Sequence, residues 1–251
     1  MKIDLNCDMG ESFGAWRMGN DVELMNYVSS VNIACGFHAG DAGVIRKTVE
    51  AASGKNISIG AHPSFPDLQG FGRREMKMTA QEIYDVVLYQ VAAVKGICAA
   101  RGSRLHHVKP HGALYNQAAK DISAARAVAE AVKAIDKTLI FYGLSGSFLI
   151  SEAEKIGLKT ASEVFADRTY QPDGSLTARS ESNALIEDAE KAVAQVLQMV
   201  HSQTVTTTGG ETVLIKAETV CIHGDGAHAL EFAKTINAKL AENGISIEPV
   251  N

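Results

Sequence analysis

Residues 30–41 read Ser30-Val-Asn-Ile-Ala-Cys-Gly-Phe-His-Ala-Gly-Asp41, and the pattern of this stretch recurs along the chain. It begins with a short β-type run and continues into a glycine-rich polar turn. Seven such runs occur, and longer segments with helical spacing lie between them. The predicted strands are Lys2–Cys7, Ser30–Ala34, Ile57–Ala61, Leu105–Lys109, Thr138–Tyr142, Lys159–Val164 and Thr219–Ile222. Seven β-then-α units in series predict a parallel sheet with right-handed crossovers.

The segments between the strands carry apolar residues at three- and four-residue spacing, which indicates amphipathic helices. The clearest apolar stripes cover residues 83–97, 122–135, 186–200 and 230–240. Thr79 and Glu82 have the spacing of a capping box ahead of the first stripe. This α/β repeat favours a closed (β/α) barrel over an open doubly wound sheet, although periodicity alone is compatible with both.

The composition is that of a globular protein with a substantial core: 251 residues, 46% hydrophobic and 21% charged. This length suits one barrel, so we predict a single (β/α) barrel domain over residues 1–251. A small inserted β-hairpin is predicted at residues 203–217, where two β-type runs flank Gly209 and Gly210.

Charge and hydropathy exclude several classes of partner. The net charge of −5 and the pI near 5.9 give no basic footprint for nucleic acid. No segment approaches the roughly 18 consecutive apolar residues of a membrane span, and the first residues lack the apolar stretch of a signal peptide. We therefore predict a cytoplasmic protein without a membrane partner. The four cysteines contain no C-x-x-C pair, so no zinc or disulfide framework is predicted.

Polar residues collect where the predicted strands end and the next helices have not begun. In a barrel these loops open on one face, at the carboxyl ends of the strands. The predicted catalytic residues are Asp8, Glu11, His38, Asp41, His62, Lys109, His111, Asp167 and Arg168. The predicted substrate-binding residues are Arg73, Tyr115, Asn116, Tyr170, Arg179, His223 and Asp225. One such residue alone is often a helix cap or a surface group, but their concentration at these junctions predicts an active site.

The residue types suggest two kinds of chemistry. Neutral imidazoles with one or two carboxylates bind a divalent metal ion and activate water. Asp8, His38 and His62 are the best trio for such an ion, because they follow three successive strands. The same groups can instead act as acid, base and hydrogen-bond donors without a metal, and both interpretations stay open. Asp8 or Glu11 suits the role of general base, and His111 that of general acid.

Four cations near the strand ends, Arg73, Lys109, Arg168 and Arg179, suit a carboxylate, a phosphate or a developing oxyanion. The sequence contains no G-x-x-x-x-G-K-[ST], no G-x-S-x-G and no H-E-x-x-H motif, and no G-x-G-x-x-G follows a strand. It therefore offers no known motif for binding a nucleotide.

The motifs at the strand ends resemble those of the LamB/YcsF family, whose members are known as the A subunits of 5-oxoprolinases. The matching stretches are Asp4–Gly14, Asn32–Asp41, Gly60–Asp67, Gly70–Arg73, Val108–Asn116, Glu163–Tyr170, Leu176–Arg179 and Ile222–Asp225. They occur in order over nearly the whole chain. The resemblance implies a distorted seven-stranded (β/α) barrel, TIM-like and similar to the glycoside hydrolase/deacetylase type.

The same resemblance implies hydrolytic, ATP-dependent ring opening of 5-oxoproline to L-glutamate, together with partner subunits B and C. ATP would be used by the complex, since this chain has no nucleotide motif. In this scheme Asp8, or a divalent metal that it holds, activates water. Lys109 and Arg168 hold a phosphate or the substrate carboxylate, and His111 protonates the departing ring nitrogen. The alternatives are a stand-alone metal-dependent amide hydrolase or deacetylase, and a non-catalytic subunit that binds 5-oxoproline.

Overall fold

The computed structural model describes residues 1–222 and 229–251. Within these residues the strands are β1 (Lys2–Met9), β2 (Ser30–Ala34), β3 (Ser58–His62), β4 (Leu105–Val108), β5 (Ile140–Leu144), β6 (Lys159–Phe165), β7 (Thr204–Thr206), β8 (Thr212–Leu214), β9 (Thr219–Ile222) and β10 (Ser246–Ile247). The helices are α1 (Asp21–Leu24), α2 (Ala42–Gly54), α3 (Ala80–Ala100), α4 (Gly112–Lys120), α5 (Ile122–Ile135), α6 (Phe148–Lys155), α7 (Ala189–Ser202) and α8 (Ala229–Glu242).

Seven parallel strands close into a barrel. The order is β1-β2-β3-β4-β5-β6-β9, and β9 pairs with both β6 and β1. Thr219 lies opposite Glu163 on one side and Asp4 on the other. This double pairing excludes the open doubly wound sheet, because an open sheet has two free edges. The predicted seven-stranded (β/α) barrel is therefore confirmed. The short β10 pairs with the first residues of β1, below the point where β9 begins.

The predicted elements match the observed ones closely. Two strands have the predicted bounds, Ser30–Ala34 and Thr219–Ile222, and the other five differ by at most two residues at either end. The capping box is present: Glu82 donates its backbone N–H to Thr79 Oγ1, and its carboxylate accepts from the Thr79 backbone. The predicted insertion contains an antiparallel hairpin of β7 and β8.

The barrel interior is polar, whereas the apolar core lies between the barrel and the helices. Strand β1 shows this arrangement, since its side chains alternate between the two sides. The residues facing the helical layer belong to the main apolar core: Ile3, Leu5, Cys7 and Met9. Asp4, Asn6 and Asp8 face inward and hydrogen-bond to residues of other strands. Many (β/α) barrels instead fill this space with branched aliphatic side chains. Here the inward-facing polar side chains form a hydrogen-bonded column inside the barrel.

Helix α3 is long and apolar enough to cross a membrane by length and composition alone. In the barrel it lies in the outer layer, where it packs against α5, β3 and β4. Ile83, Val87, Val91 and Val94 are buried on one side of it. This one-sided burial is what a layer helix requires.

Candidate active site

A cavity of about 650 Å³ lies at the carboxyl ends of the barrel strands. Ten of the predicted site residues line it: Asp8, Glu11, His62, Arg73, Lys109, His111, Tyr115, Asn116, Arg168 and Arg179. Parallel strands bring these side chains together because their loops all leave the barrel on the same face. Their separate catalytic and binding roles remain predictions, but the structure places them around one space.

The ammonium group of Lys109 lies at the bottom of this cavity and is buried. Its Nζ is 2.8 Å from Glu163 Oε1, 3.0 Å from Asp8 Oδ1 and 3.2 Å from Asn6 Oδ1. The Cys221 Sγ is a fourth neighbour at 3.0 Å. Burial opposes the charge on Lys109, but Asp8, Cys221 and Glu163 together raise the pKa of this ammonium well above its ordinary value. Three N–H donors thus face four acceptors belonging to the protein itself.

Asp8 is the last inward-facing residue of β1 and is held from two sides. Its Oδ1 accepts from Lys109 Nζ and, at 2.8 Å, from Asn32 Nδ2. Its Oδ2 is 3.3 Å from His62 Nε2. Asn32 is oriented in turn by His107, whose Nε2 is 2.9 Å from Asn32 Oδ1. A relay of fixed side chains inside the barrel therefore aims the second carboxylate oxygen at the histidines.

Glu163 and Asn6 belong to the site but were not among the predicted site residues. Glu163 is fully buried, and its Oε2 accepts from the Tyr115 hydroxyl at 2.7 Å. Its Oε1 accepts from Asn6 Nδ2 at 3.0 Å in addition to Lys109. For Asn6 the sequence signal was present in β1, where polar residues alternate strictly with apolar ones at positions 4, 6 and 8. In a buried strand, such alternation indicates a polar interior face.

His38, His62 and His111 form a buried cluster beside the carboxylate of Glu11. The rings of His38 and His111 are stacked, with centroids 3.8 Å apart and an interplanar angle of 5°. The His62 ring is nearly perpendicular to both of them. Glu11 Oε1 lies 3.5 Å from His38 Nε2 and 4.0 Å from His111 Nδ1.

Each imidazole of the cluster has one nitrogen fixed by a group of the surrounding protein. His62 Nδ1 is 2.7 Å from the Lys109 carbonyl oxygen, and His111 Nε2 is 2.9 Å from that of Phe71. His38 Nδ1 is 3.0 Å from Ser64 Oγ, which donates its own proton to the Phe65 carbonyl. All three fixed nitrogens therefore carry protons, and the other nitrogen of each ring points into the cluster.

The histidines His38 and His111 are held in the neutral form. Burial lowers the pKa of His38 well below its ordinary value, and nearby His111 and His62 add to this effect. Burial, followed by the influence of His62, lowers the pKa of His111 in the same way. Neutral imidazoles are the form that binds metal ions.

The long loop between β6 and α7 forms part of the cavity wall. Arg168 is buried, and its guanidinium donates to the carbonyl oxygens of Ala184 and Thr177 in the same loop. Burial, and then the charge of neighbouring Arg179, lowers the pKa of Arg168 to about 10. Arg179 and Arg73 are exposed at the cavity, and the Arg73 guanidinium stacks 4.9 Å above the Phe71 ring.

Two predicted site residues have structural positions instead. Asp41 is the N-cap of α2, with Oδ1 accepting from the backbone N–H groups of Gly43 and Val44. Tyr170 is fully buried, and its hydroxyl oxygen accepts from the backbone N–H of Phe165. Neither is among the residues that line the cavity. A carboxylate directly before a helix fits a cap as well as a catalyst, so the sequence could not separate the two roles for Asp41.

Three further predictions concern residues away from the cavity wall or outside the described part of the chain. Asp167 is half-buried in the loop after β6 and is not among the lining residues. His223 and Asp225 lie outside the described residues, so the substrate-binding roles expected of them stay predictions.

The residues of the histidine cluster fit a metal ion by their chemistry. Four donor atoms, from Glu11, His38, His62 and His111, lie within 4.8 Å of one another. The Nε2 of His38 is buried and has no hydrogen-bond partner. The predicted trio of Asp8, His38 and His62 shares two of its members with this group.

Comparisons with known proteins identify the family. The model of the LamB/YcsF family matches residues 3–251. A protein from Tolumonas auensis, named as the A subunit of 5-oxoprolinase, is 59% identical over 247 residues, covering 98% of both chains. Its namesake from Bacillus subtilis is 54% identical over 250 residues, covering 100% of this chain and 97% of the relative.

The solved structures agree with this relationship. A lactam utilization protein from Thermus thermophilus has a TM-score of 0.94 and 44% identity, over the full length of both chains. A T48 deacetylase has a TM-score of 0.50 and 13% identity, over 98% of this chain and 86% of that chain, which is a likeness of fold alone. With the strand-end motifs and the family model in agreement over almost all of its length, this chain belongs to the LamB/YcsF family.

Proposed function

We propose that this chain is the A component of a 5-oxoprolinase that opens 5-oxoproline to L-glutamate in an ATP-dependent reaction with partner subunits B and C. The observation that carries the proposal is the buried Asp8–Lys109–Glu163 group facing the cavity, in a chain whose relatives are named as 5-oxoprolinase A subunits. Because the reaction consumes ATP, we assign it to the cytoplasm.

The chemistry of the substrate supports two separate steps, phosphorylation by the partner subunits and hydrolysis by this chain. A five-membered lactam is a resonance-stabilised amide, and its carbonyl carbon is a poor electrophile. Transfer of a phosphoryl group from ATP to the carbonyl oxygen makes that carbon reactive. Since this sequence has no P-loop motif, we assign the phosphorylation to the partner subunits. The barrel then adds water to the activated carbon, and the ring C–N bond breaks to leave a free amine and an acyl phosphate. A second water hydrolyses this acyl phosphate to glutamate and inorganic phosphate.

Asp8 is the group best placed to handle the proton of that water. Its Oδ1 is engaged by Lys109 and Asn32, while its Oδ2 is directed toward His62 at the cavity. Asp8 takes a proton from water as the C–O bond forms, and it returns the proton to the ring nitrogen as the C–N bond breaks. Because phosphorylation of the carbonyl oxygen releases the ring N–H proton, the amine takes both protons of this water, and the second one leaves the added hydroxyl as the acyl phosphate carbonyl forms.

This scheme changes the roles that the sequence suggested for two residues. His111 keeps its one proton on the nitrogen that faces the Phe71 carbonyl, and its pKa is lowered, so it is a poor proton donor. The donors of Lys109 face acceptors of the protein itself, so Lys109 fixes Asp8 rather than the substrate. Arg73 and Arg179, which line the cavity, are the better cations for the substrate carboxylate or phosphate. A divalent ion in the histidine cluster would polarise the carbonyl or lower the pKa of water.

The test measures glutamate formed from 5-oxoproline and ATP by the chain alone and by the chain mixed with subunits B and C. We expect glutamate only from the full mixture. Asp8→Asn should lower kcat by about 10²- to 10⁴-fold, the usual contribution of a positioned acid–base group, with an unchanged circular dichroism spectrum. Asp41→Asn is the matched control and should retain activity, because Asn also caps helices well. Normal turnover by a folded Asp8→Asn protein would contradict the role of Asp8.

A stand-alone metal-dependent amide hydrolase or deacetylase is the second candidate. The histidine–carboxylate cluster in a barrel of deacetylase-like fold favours it. Such an enzyme needs neither ATP nor partners. Amide hydrolysis by the isolated chain, sensitive to chelator and indifferent to ATP, would support this candidate over the function within a complex.

A further inference from the structure

We infer that His62, His111 and Glu11 are the protein ligands of a divalent transition-metal ion, with His38 beside them and Asp8 outside the ligand set. This assignment rests on geometry and stands apart from the proposed function. It also differs from the trio of Asp8, His38 and His62 that the sequence suggested, because only His62 belongs to both sets.

The contact between His62 and His111 suits a cation. His62 Nε2 and His111 Nδ1 are 3.0 Å apart. When the rings are neutral both nitrogens present lone pairs, because the other nitrogen of each ring donates to a backbone carbonyl. Two lone pairs at this distance repel each other unless a positive centre lies between them. In a tetrahedral site with Zn–N distances of about 2.0–2.1 Å, ligand atoms are separated by roughly 3.3 Å, which is close to the spacing observed.

The ring planes decide which imidazoles bind together. The lone pair of an imidazole nitrogen lies in the plane of its ring, so an ion must lie near that plane. The planes of His62 and His111 are at 82°, and their lone pairs converge from different directions. His38 is stacked parallel to His111, so one ion cannot lie in the planes of both. His38 joins the ion only if its ring turns, and we therefore assign it a positioning role.

Charge selects Glu11 over Asp8 as the carboxylate ligand. Asp8 Oδ1 accepts from the Lys109 ammonium at 3.0 Å, so a metal ion on Asp8 Oδ2 would lie close to a second positive charge and be repelled by it. Glu11 is buried on the histidine side of the site, with Oε1 at 4.0 Å from His111 Nδ1. Two imidazoles and one carboxylate leave a fourth position open, as in catalytic zinc sites.

The donor types restrict the identity of the ion. Imidazole suits zinc, copper, iron and nickel, whereas magnesium and calcium prefer sites built from oxygen. A second layer of contacts, from the Lys109 and Phe71 carbonyls, holds the rings in the binding tautomer, which is the usual arrangement around a metal. We therefore expect a zinc-like ion.

The experiment uses the full chain, stripped with EDTA and titrated with Zn²⁺, and with Co²⁺ as a spectroscopic probe. We expect one ion per chain by elemental analysis, and visible ligand-field absorption when Co²⁺ is added. Glu11→Gln, His62→Ala and His111→Ala should each weaken binding by at least about 100-fold, which is the upper end of what second-layer substitutions cost. His38→Ala should weaken it less, by about tenfold.

Asp8→Asn separates the two possible ligand sets, since it should bind the ion as the unaltered chain does. His201→Gln, at an exposed histidine of α7, is the control for non-specific binding. Absence of stoichiometric binding, or loss of the ion in Asp8→Asn with retention in Glu11→Gln, would overturn the assignment. The melting temperature of each metal-free variant shows whether it is folded. An ion bound by the predicted ligands without glutamate formation counts against the proposed function only, whereas glutamate formation without stoichiometric binding counts against the ligand assignment only.

Discussion

Gly60 shows how tightly single residues are fitted inside the barrel. The interior space next to it is filled by the ring of His107, which stacks on Tyr142 with a centroid distance of 4.1 Å. A Cβ atom at position 60 would lie 2.2 Å from His107 Nε2. That nitrogen is the one that orients Asn32, and Asn32 in turn bonds Asp8. A missing side chain on β3 is therefore linked to the position of the proposed base.

We expect Gly60→Ala to destabilise the protein by about 1–3 kcal/mol, the usual cost of overpacking a core. It should also reduce activity, because the displaced His107 no longer fixes Asn32. Gly96→Ala is the matched control. Gly96 lies within α3 with nothing within 4 Å of its added Cβ, and Ala in a helix gains about 0.5–1 kcal/mol. Urea unfolding measures both, and equal stability of the two variants would show that the interior has room.

Lys109 is a second residue whose role depends on the groups around it. A buried cation between Asp8 and Glu163 contributes little net stability, because the desolvation of three charges offsets their attraction. A cluster of aliphatic residues would fill a barrel interior at less cost. The retention of this group is therefore better explained by the fixed direction of the Asp8 carboxylate than by stability.

Among the elements, the loop of residues 166–188 supplies seven of the residues that line the cavity. Short bridges pair Arg168 with Leu185 and Tyr170 with Leu176, so the loop folds back on itself. Helix α7 holds the beginning of this loop in place, since Gln195 Nε2 donates to the carbonyl oxygens of Phe165 and Arg168. The turn between β7 and β8 is tied to the same loop by the Thr208 N–H, which donates to the Tyr170 carbonyl.

Arg168→Lys tests whether one guanidinium holds this loop. Lysine retains the charge, but it cannot donate to the Ala184 and Thr177 carbonyls with the same planar fork. A hydrogen bond to a charged group contributes about 1.5–3 kcal/mol, so amide exchange in residues 175–185 should become at least about tenfold faster. Exchange in α5 should not change and serves as the internal control. Unchanged protection of residues 175–185 would show that the other contacts suffice.

For the whole molecule, the number of buried neutral histidines predicts how stability depends on pH. Burial lowers the pKa of His38, His107 and His111 well below the ordinary value of 6.5. In the unfolded chain these groups regain their ordinary pKa and take up protons below that pH. Their contribution to stability is therefore present above pH 6.5 and is lost as the pH falls. Asp4, whose pKa burial raises, contributes in the opposite sense as it becomes protonated.

We expect the free energy of unfolding to fall between about pH 7 and about pH 5.5, by up to about 1.4 kcal/mol per pH unit for each of the three histidines. Ordinary carboxylates do not titrate in this window, since their pKa values lie near about 4. Urea unfolding in the presence of EDTA measures the effect without a contribution from bound metal. His201→Gln should leave the slope unchanged because that histidine is exposed. A free energy of unfolding that stays constant over this window would mean that the buried histidines become protonated without unfolding.

The strand-end loops made much of the site predictable, but only as a set. Ten predicted residues line one cavity because parallel strands open their loops on the same face. Asp41 and Tyr170 were assigned to the site for the same reason, and they proved to be a helix cap and a buried packing residue. A position directly after a strand places a residue near the carboxyl-end face of the barrel, whereas the direction of its side chain depends on local hydrogen bonds.

The sequence by itself determined the seven β/α units, the capping box, the hairpin and the family, because periodicity, turn residues and motifs are local properties of the chain. Only the tertiary structure decided that β9 closes on β1, since pairing of residues more than 200 positions apart leaves no local signal. It also decided that Glu163 and Asn6 share Lys109, and which nitrogen of each histidine faces the cluster. Those choices depend on distances across the barrel, and such distances exist only once the barrel has closed.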